Sequence, residues 1–126
     1  EQLTIKSILG DKSKNIIKDE TVNKIKIRFQ KVIDLPPKDL RKLVDTGKNE
    51  LGEGIVVVFA VKDGKIGLAV GITNKLINKY NAVKFVKTGS ETIGGKGGGG
   101  RPDFAQAGGT DESRIDEAFN KLKTLI

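Results

Sequence analysis

Residues 94–109 read GGKGGGGRPDFAQAGG, eight glycines in sixteen positions with two cations, Lys96 and Arg101, set among them. Glycine loses more backbone entropy on ordering than any other residue, so such a run is poor core material and its use lies in what can approach it. Successive residues without side chains let backbone N–H groups turn toward one anion and let a phosphate come close. Lys96 adds a mobile point charge, and Arg101 a planar fork suited to a phosphate or the face of a base. The expected binding set is Gly95, Gly97, Gly98, Gly99 and Gly100 as the cradle, with Lys96 and Arg101 as charge donors. Gln106 is a candidate contact to sugar or base, and Lys84 and Lys87 are candidates to extend the basic surface. For these last three a plain solvated role is equally open. Asp103 is read as holding the loop in place, and Pro102 and Phe104 as structural.

Two standard phosphate motifs fail on context. Gly95, Gly97 and Gly100 satisfy G-x-G-x-x-G, but the match follows SETI and precedes Arg101-Pro102, where a dinucleotide fold requires a strand and a helix. A Walker A loop needs Gly-Lys-Ser/Thr, and Lys96 is followed by Gly97. A flexible linker is the plain alternative, but linkers are usually Gly/Ser or Gly/Pro mixtures, and this run lies between an expected helix and an expected strand.

The rest of the composition narrows the chemistry. The 126 residues include no Cys and no His, which excludes disulfides and thiolate chemistry and removes the commonest general base and metal ligand. No nucleophile stands with a base, so the chain is expected to be non-catalytic and to carry no cofactor or metal of its own. The net charge of +7 is concentrated: residues 65–101 hold seven basic residues against one acid, Glu91. A chain that is basic where its glycines lie points to an anionic partner, phosphate above all. No stretch reaches the ~18 apolar residues of a membrane span, and the first ten residues lack signal-peptide character. The chain is therefore expected to be soluble and intracellular. Met is absent even at position 1, so the expectation is a piece of a longer protein.

The elements that must position these residues follow from periodicity. Leu3, Ile5, Ile8 and Leu9 suggest the frayed end of a helix over residues 1–17. Ile25, Ile27 and Phe29 alternate with Lys24, Lys26, Arg28 and Gln30, the period of a half-buried strand with a basic outer face. Leu40, Leu43, Val44 and Leu51 share a helical face that Gly52 can close. GIVVVFAV and KIGLAVGI are two central strands joined by Asp63-Gly64, a strong type I′ hairpin signal. Thr73 can cap a helix through Leu76, Ile77 and Tyr80, a second helical stretch begins at Val83, Phe85 and Val86, and residues 103–107 are expected to be a strand. The last helix carries Ile115, Ala118, Phe119, Leu122 and Ile126 on one face, with acids early and lysines late. The expected fold class is α/β, one domain with a mixed sheet flanked by helices over residues 24–126, preceded by the end of a helical linker over residues 1–23, with the glycine-rich loop at residues 94–101.

The run GGKGGGGRPDFAQAGG, followed by Thr110-Asp111 and an amphipathic terminal helix, resembles the signature closing the C-terminal domain of alanyl-tRNA synthetases. The preceding order, KDLRKLVDTGKNELG and then GIVVVFAVKDGKIGLAVGIT, is similar as well. The resemblance covers residues 24–126. It implies a cytoplasmic tRNA-binding domain that grips the outer corner of the tRNA for alanine and helps one tRNA serve both aminoacylation and editing. It also implies the remainder of the synthetase as a partner and a parent protein that is an alanine–tRNA ligase using ATP, magnesium and zinc; terminal domains of this type can form homodimers. The same signature resembles the accessory domain of DHH-type phosphodiesterases, whose glycine-rich loop holds substrate phosphates. Those enzymes carry GGGH and then a small-residue segment, whereas Arg101 stands at the His position here and no Asp-His-His sequence is present. The substrate-binding domain of such a nucleotide phosphodiesterase is the alternative reading.

Overall fold

The computed structural model describes residues 15–33, 39–95 and 98–126. Its elements run β1 (Asn15–Val22), β2 (Ile25–Ile33), α1 (Leu40–Leu51), β3 (Ile55–Lys62), β4 (Lys65–Ile72), α2 (Ala82–Thr92), β5 (Gly99–Arg101), β6 (Phe104–Gly109), a 3₁₀ turn at Glu112–Arg114 and α3 (Ile115–Lys123). The six strands form one sheet in the order β1-β2-β3-β4-β6-β5. Only β2 and β3 pair in parallel, so the sheet is mixed, with α1 as the connection that parallel neighbours require.

Both faces of the sheet are covered, which is why β3 reads as a continuous apolar run rather than an alternating one. On one face Phe85 and Val86 of α2 and Ile115, Phe119 and Leu122 of α3 pack on Phe29, Val57, Phe59, Leu68 and Val70. On the other, Leu40 and Val44 of α1 pack on Val32, Val56, Val58, Ala60 and Ala69. The approach of α1 is close enough to demand glycine: a Cβ at Gly71 would lie 2.2 Å from Val44 Cγ1. Gly52 closes α1 at φ 76°, and Asp63 and Gly64 take φ 51° and 77° in the expected hairpin turn. Asn81 caps α2, its Oδ1 accepting from the Val83 N–H at 2.9 Å.

Four expectations are corrected. Asn15–Ile17, read as helix, begin β1, which pairs with β2 along its whole length from Asn15↔Val32 to Val22↔Ile25; the remainder of that expectation, residues 1–14, lies outside the described residues. Residues 74–79 form turns instead of a helix. Thr73 is buried and ties those turns to the start of β3: its Oγ1 accepts from the Gly54 N–H at 3.0 Å, and its own N–H donates to Gly54 O at 3.1 Å. The outer face of β2 is not an open basic face, because α1 lies over it. Gln30 is buried there, and Arg28 is held by both carboxylate oxygens of Asp19, at 2.8 and 3.1 Å, and by Glu50. Those bonds, to Asp19 first, outweigh partial burial and raise the guanidinium pKa above its ordinary value. Finally, part of the expected loop is strand, since Gly99–Arg101 pairs with Phe104–Gln106.

Candidate nucleic-acid interface

The glycine segment wraps the end of the sheet, and its glycines have unlike surroundings. Gly95 is wedged between α2 and β6: its N–H donates to Ser90 O at 2.7 Å, and a Cβ there would lie 1.8 Å from Gly108 O. Ser90 Oγ donates to the same Gly108 carbonyl at 2.5 Å. At Gly98 a Cβ would lie 2.1 Å from Gln106 O, and at Gly100, with φ 153°, it would lie 2.6 Å from Ala105 Cα. Gly99 alone among the described glycines of residues 95–100 has open space where a side chain would project. Lys96 and Gly97 lie outside the described residues.

β5 is an edge strand, so one side of its backbone has no strand partner, and all three of its residues are exposed. Unpaired edge amides are ready hydrogen-bond donors. Strand alternation fixes what flanks them. Ala105 belongs to the core under α2 and α3, so its neighbours Phe104 and Gln106 lie on the α1 face, together with their partners Arg101 and Gly99. Arg101 and Gln106 are therefore brought together on one rim, both exposed. Arg101 Nε lies 4.0 Å from Asp103 Oδ1, a contact loose enough to leave the guanidinium available to a ligand.

The turn that carries this rim is tied down by its backbone. Pro102 O accepts from Ala82 N–H at 2.9 Å, and Asp103 O accepts from Ile72 N–H at 2.9 Å and from Lys48 Nζ at 3.5 Å. Two cations that the sequence reading missed stand here: Lys48, and Arg41, whose guanidinium carbon lies 5.3 Å from the Phe104 ring centroid. Both come from α1, more than fifty residues upstream of Arg101, and nothing local to either marks it. Lys84 and Lys87 lie on α2, across the sheet from Arg101 and Gln106. Lys87 shares a helix side with Ser90, three residues on, and so faces the glycine segment. Lys84 lines a separate cavity of about 270 Å³ with Tyr80 and Leu125, and the structure does not bring it to the rim.

Among the described residues no group of three or more His, Cys, Asp or Glu is placed to hold a metal ion, so magnesium or zinc has no fitting donor set here. No helix among them is long and apolar enough to cross a membrane.

The family model of the DHHA1 domain matches residues 24–126. The alanine–tRNA ligase of Parvibaculum lavamentivorans is 48% identical over 103 residues, covering 81% of this chain, and that of Bradyrhizobium diazoefficiens is 47% identical over 106 residues, covering 83%. The chain spans 12% of the length of each of these relatives. The crystal structure of the C-Ala domain from Aquifex aeolicus alanyl-tRNA synthetase matches with a TM-score of 0.80 and 29% identity, covering 86% of this chain and 96% of that one. That match has the same single mixed-sheet fold, and with the family match over residues 24–126 it shows that this chain belongs to the DHHA1 domain family.

Proposed function

We propose that this domain binds tRNA, the tRNA for alanine, and that it is the C-terminal part of an alanine–tRNA ligase working in the cytoplasm. The observation that carries the reading is the β5 edge: an uncovered backbone at Gly99, flanked on one rim by Arg101 and Gln106. An edge without side chains admits a phosphate to the amides, and Arg101 supplies a fork for a second oxygen or a base face. Lys96 adds charge from the same segment, Lys87 approaches it from α2, and Arg41 and Lys48 extend the rim along α1. Gripping the tRNA's outer corner in this way would keep one molecule bound while its acceptor end moves between aminoacylation and editing. The ATP, magnesium and zinc of such an enzyme belong to its other parts.

The test is salt-dependent binding of a tRNA transcript for alanine, followed by fluorescence anisotropy. With about four phosphate contacts the log–log slope is about −3, so a fourfold rise in salt weakens binding about sixtyfold. A salt-independent affinity, or no binding at low ionic strength, overturns the proposal.

A further inference from the structure

Lys62 and Lys65 face each other as the closing pair of the β3–β4 hairpin. Like charges directly opposite in an antiparallel pair destabilise it. Among the described residues no carboxylate lies within ion-pair distance of either ammonium, Asp63 in the turn between them included. Along β3, Val61 belongs to the core under α2 and α3 and Ala60 to the core under α1. Alternation therefore puts Lys62, and with it Lys65, on the same face as Arg101 and Gln106.

On that face both lysines rim a cavity of about 440 Å³, lined between them chiefly by Ala60, Ile66, Gly67, Ala107 and Gly108. The two glycines have packing reasons of their own, since a Cβ at Gly67 would lie 3.0 Å from Leu40 Cδ1 and one at Gly108 3.2 Å from Ile66 O. Their consequence is a low, side-chain-poor wall beside two uncompensated cations. A volume of this size suits a small ligand, the wall suits the flat face of a base or a ribose, and the ammonium pair suits a phosphate. The cavity also adjoins the rim. Gly108 takes the Ser90 hydroxyl and stands against Gly95, and Gln106, two residues back along β6, pairs with Gly99.

We infer that this cavity is a second grip on the same RNA: it takes one nucleotide, with the phosphate between Lys62 and Lys65 and the base or sugar against Gly67 and Gly108. The inference rests on the tRNA-binding reading for its ligand and adds a site that the glycine segment does not contain. It also accounts for a like-charged closing pair that costs the hairpin stability.

The test uses amide chemical shifts of the chain titrated with the tRNA transcript and, separately, with adenosine monophosphate and with adenosine. Expected are saturable shifts at Gly67 and Gly108 with tRNA and with the monophosphate, and none with adenosine. In Lys62→Gln/Lys65→Gln these shifts disappear and the tRNA salt slope falls by about 2, whereas Lys42→Gln/Lys79→Gln leaves them in place. Lys65→Glu, which makes the closing pair attractive, is expected to raise the melting temperature while weakening tRNA binding. Shifts at Gly99 and Arg101 with tRNA but none at Gly67 and Gly108 would overturn the second grip and leave the tRNA reading standing. Shifts at neither place would overturn both, and shifts that survive the double lysine variant would remove the phosphate role assigned to the lysines.

Discussion

Gly98 and Gly99 are adjacent and both exposed, yet a side chain would meet a backbone carbonyl 2.1 Å away at the first and open space at the second. Gly98→Val must displace β6 and is expected to lose about 1–3 kcal/mol of stability, measured by thermal melting. Gly99→Val is expected to melt like the parent and, by blocking backbone approach, to bind tRNA about tenfold more weakly. Both variants keep the net charge, so the comparison isolates geometry; unchanged tRNA affinity in Gly99→Val would count against the uncovered edge as a contact. Arg28 makes the corresponding point for charge. It looks like one of several cations on a strand face, but its side chain is 11% exposed and is shared by Asp19 and Glu50, so it is a structural cation. Arg28→Met leaves those two partly exposed carboxylates facing each other and is expected to cost about 1–2 kcal/mol in urea unfolding. Because the folded-state pKa of Arg28 is raised, its contribution is fully present at every pH below the ordinary arginine value and is lost only as pH rises above it.

The elements that the sequence made legible are those whose signal is local. Ile25, Ile27 and Phe29 alternate, the α1 and α3 faces repeat at helical spacing, and Asp63-Gly64 supplies the two positive φ angles of the hairpin. Gly64→Ala tests the last of these, with an expected loss of about 1–2 kcal/mol and a lower denaturant midpoint at unchanged slope. A variant as stable as the parent would mean that the turn is not under that constraint. The elements that were missed have no local signal. β1, NIIKDETV, is half charged, and it is a strand because β2 offers it an edge to pair with. β5, GGR, runs against every strand preference and exists through its pairing with β6. In the other direction, Leu76, Ile77 and Tyr80 have helical spacing but pack against the α2–α3 core from turns, anchored by Thr73 on Gly54. Tertiary contacts there outweigh a weak periodic preference.

At the scale of the whole molecule, chemistry other than binding has little to work with. The purified chain is expected neither to charge tRNA nor to cleave an aminoacyl ester, since it contains no His and no Cys; turnover of either kind, abolished by mutating the chain's own residues, would refute this. The sequence by itself determined the single mixed-sheet class, the central hairpin, the concentration of positive charge over residues 65–101 and the segment where a ligand backbone could approach, because each is a property of neighbouring residues or of composition. The tertiary structure decided which of those residues share a surface. The order β4-β6-β5 turns Gly95 and Gly98 into packing glycines and leaves Gly99 uncovered. The register of β6 sets Arg101 and Gln106 on the face where Arg41, Lys48, Lys62 and Lys65 also lie, while α2 carries Lys84 to the opposite face. Period and charge are written along the chain, but which distant side chains meet depends on strand order and register, and these are settled by how the two cores on either side of the sheet pack.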